Sequence, residues 1–131
     1  QPHSDALVVF GFSGDLAGKK IFPALYAMVK KGHLTVPVIG VASSNWGVAE
    51  WHGHVRDSLL HEDHEGGIDD PAAFARLMSL LNYVSGDYND ASTFTALKTA
   101  LGGAKRPAFY LAIPPSLFAT VIQSLGRAGL A

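Results

Sequence analysis

Leu7, Val8, Val9 and Phe10 form an unbroken apolar run that stops at Gly11. Four apolar residues with no polar alternate predict a strand buried on both faces of a parallel sheet. The same punctuation returns three times. Val36 to Ala42 is apolar apart from Pro37, which a strand start tolerates, and Asn82 to Gly86 and Ala108 to Ile113 complete the set, Pro114-Pro115 forbidding continuation of the last. Between the runs the apolar period changes to threes and fours. Ile21, Leu25 and Met28 predict a first helix, with an opening turn around Asp15 to Lys20, a kink or restart placing Pro23 near a first helical position, and a stop at Gly32. Val48, Trp51, Val55 and Leu59 predict a helix from Val48 to Leu60 capped by Gly47 or Asn45. Asp70-Pro71 opens a third helix faced by Phe74, Leu77, Met78 and Leu81. Asp90 caps a fourth, with Phe94, Leu97 and Leu101 inward and Gly102-Gly103 at its end; Phe118, Val121, Ile122 and Leu125 mark the fifth. The polar stretch from His61 to Asp69 reads as an exposed loop. Strands alternating with helices predict an α/β doubly wound parallel sheet, strand order 3-2-1-4, with helices on both faces.

Composition narrows the partners. With 131 residues and 48% hydrophobic content, the chain buries the core of one domain, residues 1–131. Ten basic residues against eleven acidic leave a net charge of -1, which argues against nucleic acid and against an anionic membrane. There are no cysteines, hence no disulfide or thiolate chemistry, and no apolar stretch approaches the ~20 residues that span a bilayer. A soluble protein with a cytoplasmic address is expected; Gln1 in place of Met and the lack of a signal-like segment suit a trimmed start.

Ligands of such sheets lie beyond the carboxyl ends of the strands, where strand order reverses, so each strand end is a candidate site. The first reads Gly11-Phe12-Ser13-Gly14-Asp15-Leu16-Ala17-Gly18, with the spacing G-x-x-G-x-x-A rather than G-x-G-x-x-G. Gly11 suits the tight turn of a Rossmann-like dinucleotide fold and Gly14 the close approach of a pyrophosphate to backbone N–H groups. A plain strand-turn-helix corner is the competing reading. A Walker A loop is excluded, because Ser13 and Lys20 stand where its first glycine and its closing hydroxyl belong. At the second strand end, Ser43 and Ser44 supply neither the carboxylate that favours NAD nor the base that favours NADP. Two hydroxyls and no repelling carboxylate favour NADP, with NAD also possible. At the fourth end Tyr110 is either a nicotinamide-side residue or a core aromatic. Asp15, in the first helical turn, reads as holding the loop by backbone hydrogen bonds. His52, His54, His61 and His64 match no zinc spacing and read as a solvated surface cluster, so no metal is expected.

The string Gly11-x-Ser13-Gly14-Asp15-Leu16-Ala17-x-Lys19-Lys20-Ile21-x-Pro23-Ala24-Leu25-Tyr26 resembles the opening of glucose-6-phosphate dehydrogenases. Gly40-Val41-Ala42-Ser43-Ser44, Tyr83-Val84-Ser85-Gly86-Asp87-Tyr88-Asn89-Asp90 and Phe109-Tyr110-Leu111-Ala112-Ile113-Pro114-Pro115 resemble that family's next three strand ends, in order. The resemblance implies the NADP-binding N-terminal part of a longer homo-oligomeric enzyme that moves hydride from glucose 6-phosphate to NADP, opening the pentose phosphate pathway. It implies that Asp87 and Tyr88 line the adenosine pocket, although a capped turn explains Asp87 equally. It also implies that Lys20 contacts substrate or cofactor, against the alternative of a solvated helix lysine. Ser43 departs from the Arg or Lys that commonly follows Gly-x-Ala in the family. The sugar-phosphate site, its Glu-Lys-Pro segment and the catalytic His-Asp pair follow the fourth strand in the family. No catalytic residue is therefore expected here, whether the chain is a shortened version or a natural short relative. A stand-alone nucleotide-binding module and a short-chain reductase or epimerase are the alternatives. The latter needs Tyr-x-x-x-Lys after the fourth strand, and Tyr26 and Lys30 have that spacing only on the first helix.

Overall fold

The computed structural model describes residues 4–14, 17–60 and 68–130. Asp15 and Leu16 of the phosphate-loop expectation, and His61 and His64 of the polar loop, lie outside the described residues. Strand β1 (Ala6–Phe10) runs through the centre of the sheet, and its Val8, Val9 and Phe10 are fully buried. They are buried because alternate residues enter different cores. Val9 packs with α1 (Phe22–Lys30), α2 (Val48–Leu60) and α3 (Pro71–Leu80), whereas Val8 and Phe10 pack with α4 (Ala91–Leu101) and α5 (Phe118–Arg127). An unbroken apolar run is what two-sided burial requires.

All pairings are parallel. Strand β2 (Val38–Ala42) lies on one side of β1 with Val8 opposite Ile39, and β4 (Pro107–Leu111) on the other with Val8 opposite Phe109. Strand β3 (Leu81–Ser85) flanks β2, giving the order β3-β2-β1-β4 that the alternation predicts. Successive connections run outward from β1 to β3 and then cross back to β4. The crevice therefore opens at the carboxyl ends of β1 and β4.

Helix boundaries follow local chemistry. A π-helical turn, Ala17–Ile21, precedes α1, and Pro23 sits in the first turn of α1, where its missing N–H leaves no bond unmade. The inward stripe differs from expectation: Phe22, Leu25, Tyr26 and Val29 are buried, whereas Met28 is 38% exposed. Those four positions keep strict three-and-four spacing and bury two aromatic rings, more apolar area than Met28 offers. Gly32, at φ +75°, ends the helix while His33 N–H donates to Met28 C=O at 2.8 Å. At the start of α2, Glu50 accepts the Gly47 N–H at 2.9 Å and Gly47 C=O accepts the Trp51 N–H. Asp70 caps α3 by accepting the Ala73 N–H at 3.0 Å, and Asp90 caps α4 through the Ser92 N–H. Helix α3 passes directly into β3, so Leu81 opens the strand instead of closing the helix face, and stays buried. Strand β4 ends at Leu111, two residues before the expected Ile113, yet Ala112 N–H still donates to Phe10 C=O at 2.8 Å. Ile122 of α5 is exposed, while Val121 and Leu125 are buried.

Candidate dinucleotide site

Gly11 turns the chain at φ +86°, and a Cβ there would lie 2.0 Å from the Ala112 carbonyl oxygen. Only glycine fits between β1 and the passing end of β4. Gly11 C=O accepts the Gly14 N–H at 2.9 Å, and Gly14 C=O accepts the Gly18 N–H at 3.2 Å, leading the turn into the π-helical segment. A Cβ on Gly14 would stand 3.3 Å from the Gly11 oxygen, a tight contact with backbone, so a side chain there presses on the turn itself.

The neighbouring positions divide. Phe12 is fully buried, its ring among Phe22, Trp51 and Tyr83 and so close under Gly40 that a Cβ there would lie 2.1 Å from it. Its side chain is a core anchor, which leaves any cofactor contact to its backbone. Ala17 and Gly18 are buried too, and a Cβ on Gly18 would stand 3.0 Å from the Ser58 hydroxyl. Their small size serves close packing of the turn on α2. Lys19 and Lys20 are exposed at the end of the π-helical segment.

At the end of β2, Ser43 is exposed and the Ser44 hydroxyl donates to the Ser13 hydroxyl at 3.1 Å, joining the first and second strand ends. Ser44 C=O accepts both the Tyr83 hydroxyl and the Trp46 N–H. Burial pushes the Tyr83 phenol up to about 12, with the Tyr88 phenol adding to the effect. Trp46 stacks obliquely on His54 at 4.8 Å, and His54 meets the Phe22 ring edge-on at 5.4 Å. His54 therefore belongs to an aromatic cluster, and His52 rests 4.2 Å from Trp51. The expectation of a solvated histidine cluster is corrected for these two residues, whose apolar ring faces find aromatic partners. Among the described residues, no group of three or more His, Asp or Glu side chains is arranged to hold a metal.

The turn after β3 is tightly made. The Asp87 carboxylate accepts the Asn89 N–H at 2.8 Å and its side-chain amide at 3.2 Å, while Asp87 C=O accepts the Thr93 hydroxyl at 2.8 Å. Asp87 is thus the stabiliser of a capped turn, with its side chain still exposed. Tyr88 has a structural role of its own. Its ring packs edge-on against Phe10 at 5.8 Å on the α4–α5 side of the sheet, and its hydroxyl accepts the Gly11 N–H at 2.9 Å and donates to Val41 C=O at 3.2 Å. The hydroxyl lies behind the phosphate-loop turn, where burial raises its pKa. Tyr110 is no core aromatic: it is 46% exposed, opposite Val9 and one residue short of the end of β4.

Sequence reasoning brought Gly11, Ser13, Gly14, Ser43 and Ser44 to one rim, and the structure joins Ser13 to Ser44 directly. It missed Tyr83, whose place near the end of β3 beside β2 was readable, but whose reach to the Ser44 loop was not. Two linked serines beside a glycine turn, followed by two exposed lysines, make a donor set that suits a dinucleotide.

The chain matches the family described as glucose-6-phosphate dehydrogenase, NAD binding domain, over residues 8–131. It is 39% identical over 127 residues to glucose-6-phosphate 1-dehydrogenase 1 of Mycobacterium tuberculosis, covering 97% of this chain and 26% of that protein. With the glucose-6-phosphate 1-dehydrogenase of Dickeya dadantii it shares 36% identity, over 95% of this chain and 26% of the relative. The crystal structure of glucose-6-phosphate 1-dehydrogenase from Mycobacterium avium superposes with a TM-score of 0.89 at 40% identity, over 97% of this chain and 27% of that one. A glucose-6-phosphate dehydrogenase in complex with its substrate glucose-6-phosphate superposes at 0.81 and 30% identity, over 98% of this chain and 29% of that one. The chain spans about a quarter of the length of the curated relatives.

Proposed function

The chain belongs to the glucose-6-phosphate dehydrogenase family, and we propose from this that it is the NADP-binding domain of an enzyme that oxidises glucose 6-phosphate. The observation that carries the reading is the glycine-enforced Gly11–Gly14 turn at the β1–β4 crevice, with Ser13 and Ser44 linked beside it. In this reading the pyrophosphate lies over Gly14, at the opening of the helical segment that follows the turn, where the N-terminal end of a helix favours an anion. The adenosine extends over the end of β2, so that Ser43 and Ser44 hold the 2'-phosphate of NADP. NAD, lacking that phosphate, binds more weakly. The nicotinamide lies toward Ala112 and the end of β4, with Lys20 reaching toward its phosphates or the sugar phosphate. When bound, the nicotinamide supplies the two-electron acceptor. The residues of this chain bind it, orient it and cover one face; the base that takes the sugar's proton belongs to another part of the enzyme. The near-neutral charge supports a small-molecule partner over nucleic acid or an anionic membrane, and no helix among the described residues is long and apolar enough to cross a membrane.

Calorimetric titration of the chain with NADP and NAD, repeated for Gly14→Val, tests this. Wild type is expected to bind both, NADP more tightly. The variant should keep its circular dichroism spectrum and lose both ligands, because a branched side chain presses on the turn over which the pyrophosphate lies. A folded variant with unchanged affinity would overturn the phosphate-loop assignment.

A further inference from the structure

We infer that Tyr88 is a positioning residue for the phosphate-binding turn: its hydroxyl, bonded to both partners of the direct Gly11 N–H to Val41 C=O bond, helps to set the direction in which the turn presents its backbone to the coenzyme. The inference rests on the dinucleotide reading above and adds a residue to it.

Strands β1 and β2 separate at Gly11. The last register pair is Phe10 with Val41, and beyond it the Val41 oxygen accepts three donors: Gly11 N–H at 2.9 Å, Phe12 N–H at 3.3 Å and the Tyr88 hydroxyl at 3.2 Å. The same hydroxyl accepts from Gly11 N–H at 2.9 Å. Tyr88 thus both gives and receives at the point where the ladder ends. It arrives from 77 residues away on a turn that is itself fixed by the Asp87–Asn89 and Thr93–Asp87 bonds, and the Ser124 hydroxyl of α5 donates to Tyr88 C=O at 3.3 Å. Its ring has little freedom, being held edge-on against Phe10.

On the opposite side, Gly11 has the Ala112 carbonyl against it, the one atom a Cβ would strike at 2.0 Å. Gly11 is therefore confined from both neighbouring strands. Its C=O in turn accepts the Gly14 N–H, so a change in the Gly11 backbone torsions carries Gly14 with it. Removing the hydroxyl leaves the ring packing and the Gly11–Val41 bond intact and loosens only the restraint that Tyr88 adds at the Gly11 N–H. A residue that touched the adenosine would instead act on the adenosine end of every ligand.

Tyr88→Phe separates these roles when titrated with NADP, NAD and 2'-AMP, the last carrying the 2'-phosphate but no pyrophosphate. Affinity for NADP and NAD is expected to fall by the same factor, roughly three- to ten-fold for one hydrogen bond, leaving their ratio and the affinity for 2'-AMP unchanged. In the ligand-free variant the Gly11 amide resonance should shift and exchange faster with solvent. An equal loss for 2'-AMP would make Tyr88 an adenosine contact and overturn the inference, as would unchanged affinities for all three ligands alongside a lowered melting temperature. Failure of the wild-type chain to bind any of the three would instead overturn the dinucleotide reading and the inference with it.

Discussion

At the scale of single residues, coenzyme choice turns on Ser43, exposed at the end of β2 beside the Ser44–Ser13 link. A hydroxyl donates to a phosphate, but a guanidinium donates and neutralises. If the 2'-phosphate lies here, Ser43→Arg adds a charge-assisted contact of roughly 1.5 to 3 kcal/mol, about ten-fold or more in NADP affinity. NAD should gain little, and the advantage should shrink as salt rises. The NADP to NAD affinity ratio, measured by titration at low and high salt, checks this; an unchanged ratio at low salt would move the adenosine away from Ser43. Residues with a backbone reason were legible in the sequence: Gly11 had to be glycine, and the structure supplies the Ala112 oxygen that enforces it. Residues acting through long side chains were not. Phe12 dips beneath Gly40, and Tyr88 reaches back to Gly11, because packing across the sheet, which no local spacing encodes, decides where a ring lies.

At the scale of elements, the second strand end is held from the third. Tyr83 of β3 donates its hydroxyl to Ser44 C=O, and its phenol is pushed up from the ordinary 10.0 to about 12, chiefly by burial. A raised folded-state value favours the neutral phenol in the fold. Its contribution is fully present below the unfolded value and is lost as pH rises through the folded one, so stability should decline between about pH 10 and pH 12. Tyr83→Phe should flatten that decline while costing roughly 0.5 to 1.5 kcal/mol at neutral pH. Some slope should remain, since burial raises the Tyr88 phenol also. Denaturant melts of both proteins across this range check it; equal alkaline slopes would show that Tyr83 stays protonated equally in both states. Element type was legible wherever period and cap agreed, as in α2, whose bounds match expectation at both ends. Boundaries slipped where the chain passes from one element to the next without a loop, as at Leu80 and Leu81, because the register with β2 fixes the start of β3.

At the scale of the whole molecule, the order β3-β2-β1-β4 was legible because alternating elements and right-handed crossovers leave few arrangements. The same order separates binding from chemistry. Oxidation of a sugar hydroxyl needs a base within hydrogen-bond reach of the proton it removes. Among the described residues near the strand ends, the Asp87 carboxylate is engaged by Asn89 and the Asp90 carboxylate caps α4, its pKa lowered by the backbone and hydroxyl of Ser92. The His54 ring lies among Trp46, Phe12 and Phe22, on the α2 side of the sheet and away from the nicotinamide end proposed at β4. Tyr110, exposed one residue short of the end of β4, has no carboxylate or imidazole partner among the described residues. The 131-residue polypeptide should accordingly bind NADP saturably, yet form no NADPH from glucose 6-phosphate above a blank lacking the sugar. Paired binding and steady-state absorbance assays on one preparation check both halves. Binding without turnover is the expected result, because the proposed coenzyme turn lies within one crevice, whereas no carboxylate or imidazole of the described residues is placed at the proposed nicotinamide end. Turnover persisting after removal of host enzyme would place a base in this chain and make the division of labour wrong.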